Sequence, residues 1–220
     1  MGIKYKTVIF DFDGTVVDSA PGILKSAENV IRQVGIELPN EFELRKFIGP
    51  PIRLSFVHLL GVDEEKATEM VELYREDYEK SNGILNAEVY GGMEMLLQQL
   101  NDRGAVCAVA SAKRETIVRE TARKFGISKY FKCISGAPQE GRVVSKAEIL
   151  QGCIDRIGVE KETVLMVGDS FYDAEGAQEV GVDFCAAMWG YGFDSMDDLK
   201  TYKCRYVAPD VESLARFLLV

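Results

Sequence analysis

Several residue classes that usually announce a function are scarce in this chain. Cysteine occurs five times, at Cys107, Cys133, Cys153, Cys185 and Cys204, widely spaced and with no C-x-x-C pair. An odd, unclustered set argues against a disulfide framework or a thiolate metal site, and for buried reduced thiols in a cytoplasmic protein. Basic residues are in deficit: 26 Lys and Arg stand against 35 Asp and Glu, for a net charge of −9 and a pI near 4.8. No basic tract offsets this, so no nucleic-acid partner is expected. Long apolar runs are missing, which excludes a membrane-spanning helix, and the opening residues turn polar too soon for a signal peptide. There is one histidine, His58, flanked by Leu54, Val57, Leu59 and Leu60 and expected to pack among them. No internal repeat or low-complexity segment is visible. If the ligand is an anion, something local and positive must hold it.

What is present is ordinary globular material, 47% hydrophobic and 28% charged. Short apolar runs at 7–12, 105–111, 132–137, 164–169, 183–189 and, more weakly, 205–208 alternate with helix-period segments. Met93, Leu96, Leu97 and Leu100 make one such stripe, and Ile149, Leu150, Cys153, Ile154 and Ile157 another. Gly126, Gly158 and Gly181 stand where helices stop ahead of the next strand. Strands alternating with helices predict an α/β fold with a doubly wound parallel sheet. One connection does not fit. Nearly eighty residues separate the first strand from the helix opening near Gly91, whereas such loops usually take about 2–6. Apolar stripes at Ile23, Leu24, Ala27, Val30, Ile31 and Val34, and at Met70, Val71, Tyr74 and Tyr78, make this stretch helical. The expected organisation is a core of 1–15 and 89–220 with an inserted all-helical cap of 16–88 above the end of the first strand.

Chemistry concentrates at two strand ends. The first run leads into Asp11-Phe12-Asp13-Gly14-Thr15, and the fourth into Gly168-Asp169-Ser170-Phe171-Tyr172-Asp173. Open α/β sheets bind ligands outside the carboxyl ends of their strands. Asp13-Gly14 as a turn and Asp18 as a helix cap would account for part of the pattern. Four carboxylates delivered to one sheet edge need more than that, because acids gathered there are costly unless neutralised. An all-oxygen cluster suits a hard cation, with magnesium favoured over calcium or a structural ion, and a cation lets an acidic site accept a phosphate.

The DxDGT stretch resembles the signature of the haloacid dehalogenase-like phosphohydrolases, and GDxxxD resembles their last motif; the likeness runs in order through the whole chain. It implies Asp11 as the nucleophile that becomes an aspartyl-phosphate, and Asp13 as the acid and base. It also implies Mg2+ held by Asp11, Asp169 and the Asp13 carbonyl, with Asp173 and Ser170 in support. Backbone N–H groups around Phe12–Gly14 would cradle the phosphate. Ser111 resembles the family's phosphate-binding hydroxyl, though a helix N-cap is its plainer reading. For the family's lysine the choice is Lys146, which opens a helix, with Lys113 as the fallback; the proline that usually follows it is absent. The insertion resembles the cap of phosphoglycolate phosphatase-like enzymes, in which Gly49-Pro50-Pro51 and Arg53 would face substrate. The implied function is hydrolysis of a small phosphomonoester such as phosphoglycolate, a nucleotide or a sugar phosphate, with pyrophosphate also suited to such a core, by a monomer or homodimer. A β-phosphoglucomutase-like mutase and a phospho-receiver module are the alternatives, and a dehalogenase fits less well.

Overall fold

In a computed structural model that describes residues 2–39, 42, 44–48, 50–80, 83–138 and 144–220, the six apolar runs all become strands. In chain order the elements are β1 (Thr7–Phe10), β2 (Val17–Asp18), α1 (Ala20–Gln33), α2 (Ile52–Leu60) and α3 (Glu64–Lys80). Then come β3 (Glu88–Val89), α4 (Met93–Asp102), β4 (Val106–Arg114), α5 (Glu115–Lys124), β5 (Phe131–Ala137) and α6 (Lys146–Ile157). The chain finishes with β6 (Val164–Gly168), α7 (Phe171–Val180), β7 (Asp183–Ala187), β8 (Cys204–Ala208) and α8 (Val211–Leu218).

The large sheet has the order β5-β4-β1-β6-β7-β8 and is parallel throughout. Its strands alternate between two apolar layers, as a sheet covered on both faces must. Val8 and Phe10 of β1, with Leu165 and Val167 of β6, pack on α4, α5 and α8, while Ile9, Val164 and Met166 pack on α6 and α7. The chain leaves β1 towards β4 and β5 at one edge and returns at β6 to build the other. The switch point therefore falls beside β1, where a crevice opens at the strand ends.

Between β2 and β3 the described elements are all helical: α1, α2, α3 and short helical turns at Leu44–Phe47 and Gly83–Asn86. Ala27, Val30 and Ile31 of α1 pack against Phe56 of α2 and Ala67, Met70 and Val71 of α3, with Phe47, as a cluster separate from the sheet layers. The expected stripes thus bury against one another. The two-residue strands β2 and β3 pair antiparallel at the point where this helical unit leaves and rejoins the core. A small cluster of Ile23, Ile48 and Tyr78, with Ile117 and Tyr191 against it, joins the two parts. Gly49, expected in the substrate-facing loop, lies outside the described residues.

Several expectations shift. β1 stops at Phe10, which leaves Asp11 as the first residue beyond the strand. β4 continues to Arg114, so Ser111 lies within a strand and does not cap α5. A register shift between Ser111 and Arg114 bulges this strand end, and a side chain at Gly136 would strike the Lys113 carbonyl there. His58, expected to pack among its apolar neighbours, is instead exposed in the last turn of α2. Four cysteines are buried, Cys204 is half-buried, and all five are free. No helix among the described residues is long and apolar enough to cross a membrane.

Candidate active site

Adjacent strand ends bring the two motifs together. Asp11 follows β1 and donates its N–H to Val167 O of β6 at 2.8 Å, and Asp169 follows β6 directly. Asp11, Asp169 and Asp173 are all buried and offer carboxylate oxygens within 4.8 Å of one another. Lys146 Nζ reaches between them, 2.5 Å from Asp11 Oδ1 and 2.6 Å from Asp173 Oδ1. It starts α6 behind a capping box: Ser145 Oγ accepts from Glu148 N at 3.1 Å and Glu148 Oε2 accepts from Ser145 N at 2.9 Å. Gly176 of α7 makes room for the lysine stem, since a Cβ there would lie 2.8 Å from Lys146 Cγ. Burial alone would lower the lysine's pKa, but Asp11 and Asp173 outweigh it and hold the ammonium charged. Asp173 accepts from Ser170 N at 3.0 Å and from Ser170 Oγ at 2.8 Å.

Asp169 is held by groups from distant segments. Thr15 Oγ1 donates to it at 3.1 Å, and Tyr191 N donates at 2.8 Å. Trp189 Nε1 in turn donates to Thr15 O at 3.1 Å. Gly14 has φ +83°, and a Cβ there or at Gly190 would collide with the Asp169 carboxylate. The Gly14 N–H is already given to Val17 O at 2.8 Å, so this residue contributes room and not a phosphate donor. Burial, then the Asp173 charge, raise the Asp169 pKa to about 7 against the Tyr191 and Thr15 bonds and Lys146. Burial also lifts Asp11 well above the carboxylate range; Lys146 opposes this, and Asp173 and Asp169 add to it. Three buried acids with one lysine lack positive charge. The all-oxygen donor set and that deficit both fit a hard divalent cation.

Asp13 points to a different set of partners. It accepts from Lys113 Nζ at 2.7 Å and from a close Ser19 hydroxyl. Asp18 accepts from Ala20 N at 3.2 Å, at the start of α1, and also from a close Tyr191 hydroxyl. Ser111 is buried beside this group; its Oγ accepts from Lys113 N at 3.3 Å, which leaves its own proton to give. Asp11, Asp13, Ser111 and Lys113 open on a cavity of about 500 Å³ between sheet and helical insertion. Its far lining includes Ile23, Phe47, Pro50, Pro51, Tyr74 and Tyr78. Arg53 also lines it, paired with Glu64 at 2.5 Å. Both candidate lysines therefore belong to the site, one on each aspartate of the first motif.

A family model described as haloacid dehalogenase-like hydrolase matches residues 8–187 of this arrangement. The chain belongs to the haloacid dehalogenase-like hydrolases. It is 35% identical to a 5′-nucleotidase of Pseudomonas aeruginosa over 216 residues, covering 98% of this chain and 96% of the relative. It is also 35% identical to the tyrosine-protein kinase PtkA of Mycobacterium tuberculosis over 191 residues, 87% of this chain but 65% of PtkA. A phosphoglycolate phosphatase of Aquifex aeolicus is 28% identical over 186 residues, 84% of this chain and 86% of the relative. Among solved structures, a predicted phosphatase from Clostridium acetobutylicum superposes with a TM-score of 0.90 at 32% identity, over 96% of this chain and 97% of that one.

In this hydrolase the motif aspartates, Ser111 and both lysines converge, while Arg53 stands apart on the cap wall. From sequence, Gly190 and Tyr191 are expected only in a loop near the active-site rim and Thr15 only within the DxDGT motif, none of them as a support for Asp169, and Ser19 has no expected role. Gly190 and Tyr191 follow β7 by only a few residues, and their place beside Asp169 is set by the β6–β7 pairing. A glycine just past a neighbouring strand end was the signal available for them.

Proposed function

We propose that this hydrolase is a magnesium-dependent phosphatase that cleaves a small phosphomonoester through an aspartyl-phosphate on Asp11. The observation that carries the reading is the buried Asp11 carboxylate at a strand end, next to Lys146 and two further acids and open to the cavity. Asp11 attacks phosphorus, and the P–O bond to the leaving group breaks. Asp13 gives its proton to the departing alkoxide, then takes one from the water that hydrolyses the acyl phosphate. Lys113 at 2.7 Å and Ser19 orient that carboxyl. Lys146 and the Ser111 hydroxyl hold phosphoryl oxygens, with the N–H groups of Phe12 and Asp13 beside them. Asp11, Asp169 and the Asp13 carbonyl would hold Mg2+, and Asp173 would support them through Ser170 and Lys146. When bound, the cation supplies the missing positive charge and polarises a phosphoryl oxygen. Residues 16–88 act as a cap that shields the reaction from bulk water.

The test is phosphate release from a panel of small phosphate esters, with magnesium or with chelator, using Asp11→Asn as the blank. Multiple-turnover release that needs magnesium and disappears in the variant is expected. Equal release from Asp11→Asn would remove the mechanism, and a phosphoryl group retained on the chain would point to transfer in place of hydrolysis.

A further inference from the structure

Among the described residues, one cation on the cavity that opens on Asp11 forms no ion pair, although Glu72 and Glu79 lie on the same wall. Arg114 ends β4 on the cavity wall, and its Nε is buried with no hydrogen-bond partner among the described residues. The other cations of the wall are paired: Lys113 with Asp13, Arg53 with Glu64 and Arg75 with a close Glu72 carboxylate. Burial lowers the Arg114 pKa, and the next cause is the positive charge of Arg75, offset in part by Glu72 and Glu79. Arg75 belongs to α3 of the cap, and Arg114 to the core. Two guanidiniums, one from each part, thus lie within electrostatic reach on one cavity. A buried donor without an acceptor is costly, and a like charge beside it adds to that cost. An anion between the two would relieve both, and a guanidinium's planar fork suits a carboxylate or phosphate. The cavity's volume of about 500 Å³, with Ile23, Tyr74 and Tyr78 on its walls, has room for a leaving group that reaches from Asp11 to this point.

We propose that Arg114, together with Arg75, binds a second anionic group on the substrate, so that the preferred ester carries a carboxylate or a further phosphate on its leaving group. This rests on the phosphatase reading of Asp11. The probes are phenyl phosphate, 4-carboxyphenyl phosphate and 1,4-phenylene bisphosphate. The wild-type protein should favour at least one of the charged esters over phenyl phosphate by about tenfold in kcat/KM, mainly through KM. Which one it favours separates a carboxylate from a phosphate subsite. In Arg114→Gln that ratio should fall towards one. Arg114→Lys, which keeps the charge without the fork, should lie between, and Arg75→Gln should lower the ratio as well. A wild-type ratio near one for both charged esters, or a ratio that Arg114→Gln leaves in place, overturns the proposal. If no ester releases phosphate, the phosphatase reading fails separately. Calorimetry with benzylphosphonate and 4-carboxybenzylphosphonate then decides: tighter binding of the carboxylated probe, lost in Arg114→Gln, sustains the subsite, and equal binding ends it.

Discussion

Asp169 shows how a functional residue can be held where it is costly to the fold. Burial and the Asp173 charge disfavour its ionised form, while Thr15 and Tyr191 hold the carboxylate in place. Replacing it with Asn removes the charge, keeps an oxygen for the Tyr191 N–H, and sets an amide NH2 against the Thr15 hydroxyl, which can turn and accept. Asp169→Asn should therefore raise the melting temperature of the metal-free protein at pH 8 while cutting phosphate release by about 100-fold or more. A calorimetric scan beside a phosphate assay checks both; a melting temperature that falls would contradict the electrostatic account. Asp11→Asn should cost about 10⁴-fold in turnover or more, as loss of a nucleophile does, with a near-native circular dichroism spectrum. The acids were legible in the sequence because two short motifs place each at a strand end, where the chain itself announces the site. Tyr191 was not, because its bond to Asp169 spans 22 residues and depends on how two strands pair. Arg114 was not either, since its buried Nε is a property of the folded cavity and not of a pattern.

At the scale of elements, helix termini do the positioning, and their effects on stability and on chemistry can be separated. The Ser145 capping box fixes the turn that carries Lys146. Asp210 caps α8 in a similar way, accepting from Ser213 N at 2.7 Å, but α8 lies on the sheet layer away from the acids. Ser145→Ala and Asp210→Ala should each cost about 1 kcal/mol of stability. Only Ser145→Ala should also lower kcat, by several-fold, because the ammonium then loses its fixed start point. Urea titration and steady-state kinetics on the pair distinguish them, and an equal loss of kcat in both would show that the cap acts through stability alone. The long elements were readable from period: six strands and the major helices fall within a few residues of their apolar stripes. The strands β2 and β3 were not, since two residues each carry no period. The bulge after Ser111 was hidden too, because nothing local tells a strand to continue through Ala112-Lys113-Arg114.

Across the whole molecule, a net charge of −9 and three buried acids make the metal-free state pH-sensitive in a definite direction. Asp169 has its pKa raised from 3.8 to about 7, so the folded protein binds more protons than the unfolded chain between those values. Stability from this group is present in full below pH 4 and is lost as pH rises through about 7, by at most on the order of 4 kcal/mol. A cation reverses the preference, because it binds the deprotonated carboxylates. Magnesium at 100 times its Kd would contribute about 2.7 kcal/mol by mass action where the acids are ionised, and much less where protons compete. The melting temperature should therefore rise more on adding magnesium at pH 8 than at pH 5, and in Asp169→Asn the increment at pH 8 should shrink. Differential scanning calorimetry at the two pH values, with chelator or magnesium, reads this directly. An increment that is the same at both values and survives in Asp169→Asn would place the cation elsewhere than among Asp11, Asp169 and the Asp13 carbonyl.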